Sequence, residues 1–422
     1  MGVSLEAFNL LSMQTPTLGH YPLPNLRSFC SDIILWDFAP FLRLFLNPGL
    51  TNVEIGFADI YPCLYRSTII SLIPTRDLTC LQLRFLGGED LSLGALHNLL
   101  DEASETLRSV SLIYEELPTA VMDKLVQLPN LRCLSIQLPQ VKISPPDIVF
   151  PSLEKLVVKY GEVGSWLQFL QNFPIPALRE LDVSFTGSLP TYLQILGSSL
   201  LTSHVERTLV SLKCTSNNTI PLTEAGIHPL LSFKKLTKLE LTGSCVPGGR
   251  QCGIELSDSI ISELATALPQ LISLSLGNAS CQASASDVTV ASLVALSTNC
   301  VDLDFLQLHF NATDIVTRGI RANPGQTRRY ICKLRTLSVG SQPLPSNHDN
   351  ILLVSFTILR IFPCLETISS MGRGWNQVEK YVQLFRKAPT MILLRPRTDW
   401  RVPQTTRRAA QSSNEGGEGP SS

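Results

Sequence analysis

Charge is scarce in this sequence, and the charges that are present nearly cancel. Only 16% of the 422 residues are charged, and the formal net charge at pH 7 is −1. A protein that binds nucleic acid or an anionic membrane surface usually carries a clear basic excess. The longest apolar run, residues 351–362, falls well short of the roughly 20 residues that a membrane-spanning helix needs. We therefore predict neither nucleic acid nor a membrane as a partner.

The usual signatures of secretion and of catalysis are missing as well. The N-terminal stretch lacks the basic segment followed by an apolar segment that marks a signal peptide. The eleven cysteines are scattered, with no C-x-x-C and no Cys/His cluster at zinc spacing. No P-loop, nucleophile elbow, H-E-x-x-H motif or dinucleotide fingerprint occurs. We expect a cytoplasmic or nuclear protein with reduced thiols, no cofactor and no enzymatic activity.

What the sequence does contain is leucine in a fixed pattern. The hexapeptide L-x-x-L-x-L, with Ile, Val or Phe allowed in the leucine positions, is clearest at residues 131–136 (LRCLSI). Copies are spaced by 21 to 35 residues and by about 28 on average, which is typical of leucine-rich repeats. The fourteen copies begin at Leu5, Leu26, Leu50, Leu78, Leu107, Leu131, Leu153, Leu178, Leu209, Leu236, Leu271, Leu303, Leu334 and Leu365.

This repeat predicts an α/β leucine-rich-repeat solenoid. Side chains alternate along a strand, so the last two apolar positions of each copy point the same way, and one repeat cannot bury that face alone. Stacked repeats form a right-handed horseshoe with a parallel β-sheet on the concave face and helices and turns on the convex face. We predict that residues 1–395 form this solenoid, with about fourteen repeats. Residues 396–422, which are almost free of apolar residues, are predicted to be a disordered polar tail.

Apolar periodicity and turn residues place helices between the strands. The predicted helices are 94–105, 119–127, 163–172, 190–205, 257–268, 286–297, 348–361 and 376–387. Ser257 and Ser286 are each followed by Asp, and both are predicted to be N-caps of their helices.

Charged residues fill the x positions in the middle of the array. They are Lys155, Lys159, Glu180, Asp182, Lys213, Lys238 and Glu240, and we call this set the charge ladder. Adjacent strands lie about 4.8 Å apart, so charges in neighbouring repeats meet across the sheet. In one interpretation the charges pair with one another, each exposed pair contributes about 0–1 kcal/mol to stability, and the surface offers no specific site to a partner. In the other interpretation they form a mixed-charge surface that recognises a polar peptide or protein face. The sequence leaves both interpretations open.

Further x positions carry candidate contact residues for a partner on the concave face. These are Arg84 in an early repeat and Phe305, Gln307 and His309 in a late one. His309 has no cysteine or carboxylate nearby, so we interpret it as a contact residue rather than a metal ligand or base. Cys30, Cys80 and Cys133 also fall at x positions, where small residues on a crowded face are a better interpretation than reactive thiols.

An insertion that follows the His309 strand is rich in arginine. It carries Arg318, Arg321, Arg328 and Arg329 and leaves the sheet at the rim where solenoid loops often contact partners. These side chains could bind a phosphate or an acidic segment. The alternative is an ordinary solvated loop.

With its repeats aligned, the chain resembles the leucine-rich-repeat region of fungal F-box proteins. The resemblance covers roughly residues 1–395 and rests on LPNLRSF (23–29), LPNLRCLSI (128–136), FPSLEKLVV (150–158) and LPQLISLSL (268–276), with irregular repeat spacing. It implies a substrate receptor of an SCF-type cullin–RING ubiquitin ligase. In such proteins an N-terminal F-box docks to a Skp-type adaptor while the repeats hold the target protein.

The chain departs from that family in one respect that bears on function. No F-box is visible, because nothing precedes the first repeat and no L-P-x-E-I-L segment occurs elsewhere. We therefore expect a Skp-type adaptor as a partner only if an F-box lies upstream. The predicted function is protein–protein recognition, with the protein substrate held on the concave face of an F-box-like receptor. The alternative is a free-standing repeat scaffold or inhibitor with no link to a ubiquitin ligase.

Overall fold

The computed structural model describes the chain between residues 21 and 387, with gaps. The described residues are 21, 23–32, 34, 41–57, 63–85, 93–114, 117–137, 149–161, 169, 174–185, 189–216, 222–243, 254–278, 287–318, 332–340, 344, 347–370 and 372–387. The repeat copy at Leu5, the predicted boundary at residue 395 and the predicted tail 396–422 lie outside the described residues.

A parallel sheet of thirteen strands in chain order runs through the described residues, and it does not close on itself. Each strand begins two residues after the first leucine of one repeat copy, from Leu26 to Leu365. This sheet, with helices between its strands, confirms the predicted α/β solenoid. The strands are β1 (Ser28–Ser31), β2 (Asn52–Phe57), β3 (Cys80–Phe85), β4 (Ser109–Ile113), β5 (Cys133–Gln137), β6 (Lys155–Gly161), β7 (Glu180–Phe185), β8 (Ser211–Ser216), β10 (Lys238–Gly243), β12 (Ser273–Leu276), β13 (Phe305–Leu308), β14 (Thr336–Val339) and β15 (Thr367–Ser369). Two short strands, β9 (Leu222–Thr223) and β11 (Ile254–Glu255), form a separate parallel pair.

Helices connect the strands and contact one another from repeat to repeat. They are α1 (Cys63–Ser71), α2 (Leu93–Glu102), α3 (Thr119–Val126), α4 (Leu189–Thr202), α5 (Glu224–Ile227), α6 (Asp258–Ala267), α7 (Val290–Asn299), α8 (Thr313–Arg318), α9 (His348–Ile361) and α10 (Trp375–Lys387), with 3-10 turns at Val205–Arg207 and His228–Ser232. Within the part of the chain that is described, no helix combines the length and the apolar character needed to cross a bilayer.

The predicted helices agree with these bounds to different degrees. The prediction 348–361 coincides with α9, and 119–127 overruns α3 by one residue. Ser257 does occupy the N-cap position of α6, although its hydroxyl donates to Glu224 instead of capping the helix. The prediction for Ser286 is wrong, because α7 begins at Val290 and Thr289 is its N-cap. The predicted helix 163–172 lies almost entirely outside the described residues.

The core is built from side chains that alternate along each strand. In β3, Leu81, Leu83 and Phe85 are buried while the residues between them are half-exposed. Cross-strand pairing joins equivalent apolar residues into one continuous row, Phe29, Val53, Leu81, Val110, Leu134, Leu156, Leu181, Leu212, Leu239, Leu274, Leu306, Leu337 and Ile368. Full burial of a leucine-sized side chain contributes about 1.5–3 kcal/mol. Each repeat obtains this burial from its neighbours.

A repeated main-chain hydrogen bond sets the spacing between repeats. The carbonyl of Arg27 accepts from the N–H groups of Thr51 and Asn52, at 2.9 and 3.1 Å. The same double acceptance recurs at every step of the thirteen-stranded sheet, and it ends with the carbonyl of Arg335. We call this series the carbonyl ladder. It uses both lone pairs of one carbonyl per repeat and so leaves no unpaired donor where the chain enters each strand.

A side-chain contact joins two neighbouring helices in the later repeats. The carboxylate of Asp258, at the start of α6, accepts from the Thr289 N–H at 2.7 Å and from the Thr289 hydroxyl at 2.6 Å. It also accepts from the hydroxyl of Ser292, which is fully buried. Thr289 caps α7 with its own hydroxyl, which accepts from the Ala291 N–H, and Asp258 of the preceding repeat holds this cap residue in place. This contact fixes the start of α7 four residues later than the sequence predicts.

We expect Asp258→Ala to lower the free energy of unfolding by about 1–3 kcal/mol, because it leaves the buried Ser292 hydroxyl and the Thr289 N–H without an acceptor. Urea denaturation followed by circular dichroism measures this. The matched control is Asp287→Ala, two residues before Thr289, where the side chain is exposed. Equal midpoints for the two variants would show that the inter-repeat cap contributes nothing.

Candidate functional site

The charge ladder lies on four strands in the middle of the sheet. All seven of its residues occupy positions that alternate with buried apolar side chains, so they lie on the face of the sheet away from the core. Lys155 and Lys159 are on β6, and Lys213 is on β8. This placement agrees with the sequence prediction and brings the seven groups into one continuous patch.

Four of the seven charges are joined in two ion pairs. Lys155 and Glu180 are register partners on β6 and β7, and their Nζ and Oε2 atoms lie 2.9 Å apart. Lys213 and Glu240 are register partners on β8 and β10, with 3.0 Å between Nζ and Oε1. In each pair the hydrogen bond to the carboxylate raises the pKa of the lysine. These four residues are therefore paired with one another across the sheet.

The other three charges, Lys159, Asp182 and Lys238, take no part in those pairs. Neither a hydrogen bond nor an ion pair within 4 Å joins any of them to another described residue. The reason is register. Asp182 faces Val157 on one side and Lys213 on the other, but the Lys213 ammonium is turned to Glu240. Lys238 lies between two serines, Ser211 and Ser273, and Lys159 lies beside Gln137.

Asp182 is the least well accommodated group of the ladder. Its side chain is half-buried, and burial raises the pKa of the carboxyl group. Lys213, and after it Lys155 and Lys159, oppose this effect, and Glu240 reinforces it. Ionised Asp182 is therefore less favourable in the folded chain than in the unfolded chain. The carboxylate would be stabilised by a cation brought from outside the protein.

Arg84 belongs to a second charged cluster, at the N-terminal end of the described sheet. Its guanidinium is paired with Glu54 on β2 and lies 3.7 Å from Asp32, while Gln82 Nε2 donates to Glu54 at 2.8 Å. Arg84 is thus on the predicted face, but its charge is already neutralised. Glu54 was not predicted as a site residue, although it holds an x position of its own repeat that alignment of the copies reveals.

The same cluster has ligand types that suit a metal ion. One potential ligand atom each from Cys30, Asp32 and Glu54 lies within 4.8 Å of the others. Arg84, however, already supplies positive charge to both carboxylates. A cation in this place would have to displace the guanidinium, so the arrangement is a salt-bridge cluster.

Two thiols on this face, those of Cys30 and Cys133, have a pKa raised above the usual value of a thiol. The hydrogen bond to Glu54 is the main cause that raises the pKa of Cys30. Burial is the main cause that raises the pKa of Cys133, against the opposing effect of Lys155. Because the thiolate is the reactive species, these shifts favour the interpretation of Cys30 and Cys133 as small structural residues.

The late candidates, Phe305, Gln307 and His309, differ in accessibility. Phe305 and Gln307 are both partly exposed, so both remain candidate contact residues. The side-chain amide of Gln307 also donates to the carbonyl of Gly277. His309 is only 1% exposed. The prediction that His309 lies open to a partner is therefore wrong.

His309 is a core residue of the late repeats. Its Nε2 lies 2.8 Å from the carbonyl oxygen of Asn278, and burial lowers the pKa of the imidazole. The ring packs over Gly340, where a Cβ atom would fall 1.8 Å from Nδ1. The imidazole fills space that a side chain at position 340 would otherwise need.

The arginine-rich insertion is described only at its beginning. Arg318 is the last residue of α8. Arg321, Arg328 and Arg329 lie outside the described residues, so their predicted contact with a phosphate or an acidic segment stays a prediction.

No protein-family model matches the chain. No curated protein matches it either. Among solved structures, the chain is similar to a Bacteroides fragilis protein determined in a structural genomics programme, with a TM-score of 0.34 and 17% identity over 64% of this chain and 72% of that chain. A match at that level carries no argument about function. The repeat-type α/β fold itself fits a protein-interaction module.

We expect Gly340→Ala to destabilise the protein by about 1–3 kcal/mol, because the added methyl group overlaps the His309 ring. In a His309→Ala background the same change should cost little, since the ring is gone. Chemical denaturation of the four proteins of this double-mutant cycle measures the coupling. The same cost in both backgrounds would rule out the steric explanation.

We expect Asp182→Asn to raise the melting temperature at pH 7 and to weaken its pH dependence in the acidic range. A carboxyl group whose pKa is raised by folding contributes stability below its unfolded value near 4, and this contribution is lost as pH rises through the folded value. Thermal melts from pH 3 to pH 8 test this. Asp123→Asn on the outer surface of α3 is the control. A lower melting temperature for Asp182→Asn at pH 7 would contradict the expected sign.

Proposed function

We propose that this protein is a protein-recognition module whose target binds the charge ladder on the concave face of the sheet. The observation that supports this proposal most directly is the incomplete pairing of the charge ladder. Two internal ion pairs hold four of the charges, and Lys159, Asp182 and Lys238 are left to interact with something else. Continuous, partly unpaired polar surface on a rigid repeat array is what a protein partner requires.

We further propose that the module serves as the substrate receptor of an SCF-type cullin–RING ubiquitin ligase. The support is the resemblance of its repeat units to those of fungal F-box proteins, for example at residues 150–158. In this role the protein has no catalytic activity and no cofactor of its own. The raised pKa values of Cys30 and Cys133, which disfavour a reactive thiolate, support this part of the proposal. The proposed receptor role includes a cytoplasmic or nuclear location for the protein.

The second candidate is a free-standing scaffold or inhibitor that holds a partner without a ligase. The absence of an L-P-x-E-I-L segment from the sequence favours it. The two candidates share the concave binding face and differ in whether a Skp-type adaptor and a cullin accompany the target.

Charge reversal on the ladder separates the possibilities. We expect Lys155→Glu combined with Lys159→Glu to weaken target binding at least about tenfold. The reversed charge at position 159 repels the acidic group of the target, and the ion pair between Lys155 and Glu180 is lost. The melting temperature should change little, since exposed pairs contribute about 0–1 kcal/mol. The readout is quantitative mass spectrometry of proteins retained by the tagged chain.

The matched control is Lys234→Glu combined with Lys235→Glu, an exposed lysine pair in the turn before β10. A receptor expressed together with any F-box encoded upstream should retain a Skp-type adaptor and a cullin in both double variants and lose the target only in the ladder variant. A retained target without adaptor or cullin would support the scaffold. Equal target recovery from both variants would overturn the concave binding site.

A further inference from the structure

We infer that the charge ladder recognises an extended segment of the target whose side chains follow the order acidic, basic, acidic. This inference rests on the proposed function and specifies the chemistry of the partner at the same face. The three recognising groups are Lys159 on β6, Asp182 on β7 and Lys238 on β10.

Internal pairing selects these three groups out of the seven. Lys155 is neutralised by Glu180, and Lys213 by Glu240. What remains is a positive, a negative and a positive charge on three different strands. A partner with charge of only one sign would meet repulsion at one or two of these positions.

The three groups lie on a nearly straight diagonal across the sheet. Lys159 is at the last x position of its strand, Asp182 at the middle one and Lys238 at the first. Strand spacing of about 4.8 Å and a rise of about 3.3 Å per residue place Asp182 about 8 Å from Lys159 and about 12 Å from Lys238, measured between backbone positions. The whole diagonal is about 20 Å long.

An extended peptide matches this diagonal in length and in side-chain direction. Six residue steps at about 3.3 Å span about 20 Å, and residues separated by even numbers face the same side. An acidic residue, a basic residue two positions later and an acidic residue four positions after that would meet Lys159, Asp182 and Lys238 in turn. The segment then has the form acidic-x-basic-x-x-x-acidic, or its reverse if it runs the other way.

The surroundings of Asp182 favour a basic side chain at the centre. The carboxylate is half-buried beside Val157, which offers it no hydrogen bond, and the ammonium of Lys213 is directed to Glu240. The row through Lys238 is lined by Ser211 and Ser273, whose small side chains leave room for an approaching backbone. A guanidinium at Asp182 would form a charge-assisted hydrogen bond in a partly dehydrated place.

The experiment is selection of a random ten-residue peptide library displayed on phage against the immobilised full chain. We expect the enriched peptides to share the acidic-x-basic-x-x-x-acidic spacing in one direction. Their synthetic forms should bind Asp182→Asn about tenfold more weakly than wild type, by fluorescence polarisation. Asp123→Asn on the outer surface should bind them as wild type does.

A charge exchange at the exposed end of the diagonal provides a second test in a variant that keeps its fold. Lys238→Glu should weaken the enriched peptide, and a peptide with lysine in place of the acidic residue at that end should bind the variant more tightly than it binds wild type. Enrichment without the charge pattern, or no enrichment, overturns the inference. Peptides that lose affinity for the Lys155→Glu, Lys159→Glu variant but ignore Asp182 and Lys238 would also overturn it, while leaving the proposed concave binding face intact.

Discussion

The carbonyl ladder is the constraint on which the rest of the structure depends. One main-chain carbonyl per repeat accepts two N–H groups from the next repeat, without a break from Arg27 to Arg335. Because side chains alternate along a strand, a slip of one residue at any step would turn the leucines of that repeat to solvent and its polar residues to the core. The carbonyl ladder consists of main-chain bonds and needs no particular side chain. Repeats of very different length can therefore share one register.

That register also decides which charges meet. Lys155 is placed opposite Glu180, so a cation and an anion become neighbours across the sheet. Two residues further along the same strands, Asp182 is placed opposite Val157, which offers it no salt bridge. Lys238 is likewise placed between two serines, and Lys159 beside Gln137. The paired and unpaired parts of the charge ladder therefore follow from the same backbone bonds that build the core.

The sequence predicts well what depends on a regular pattern and poorly what depends on a contact between repeats. All thirteen strands of the main sheet start at the same offset from a repeat leucine, because inward and outward positions alternate strictly. The predicted start of α7 is wrong because Asp258 of the previous repeat holds the cap residue Thr289 in place. The pattern predicts an exposed His309 because its position is an outward one. In the folded chain the His309 ring is buried in the space above Gly340, which the sequence pattern does not reveal.

The incomplete pairing of the charge ladder also explains how this charged face of the sheet can be selective although its ion pairs are individually weak. A partner that covers this face removes water from all seven charged groups. The two internal pairs keep their salt bridges, whereas Lys159, Asp182 and Lys238 would become buried without a salt-bridge partner. An unsatisfied buried polar group costs about 1–3 kcal/mol, and a charged one costs more. A partner with the wrong charges is thus rejected by this penalty, and discrimination depends more on the cost of mismatched partners than on attraction to the matched one.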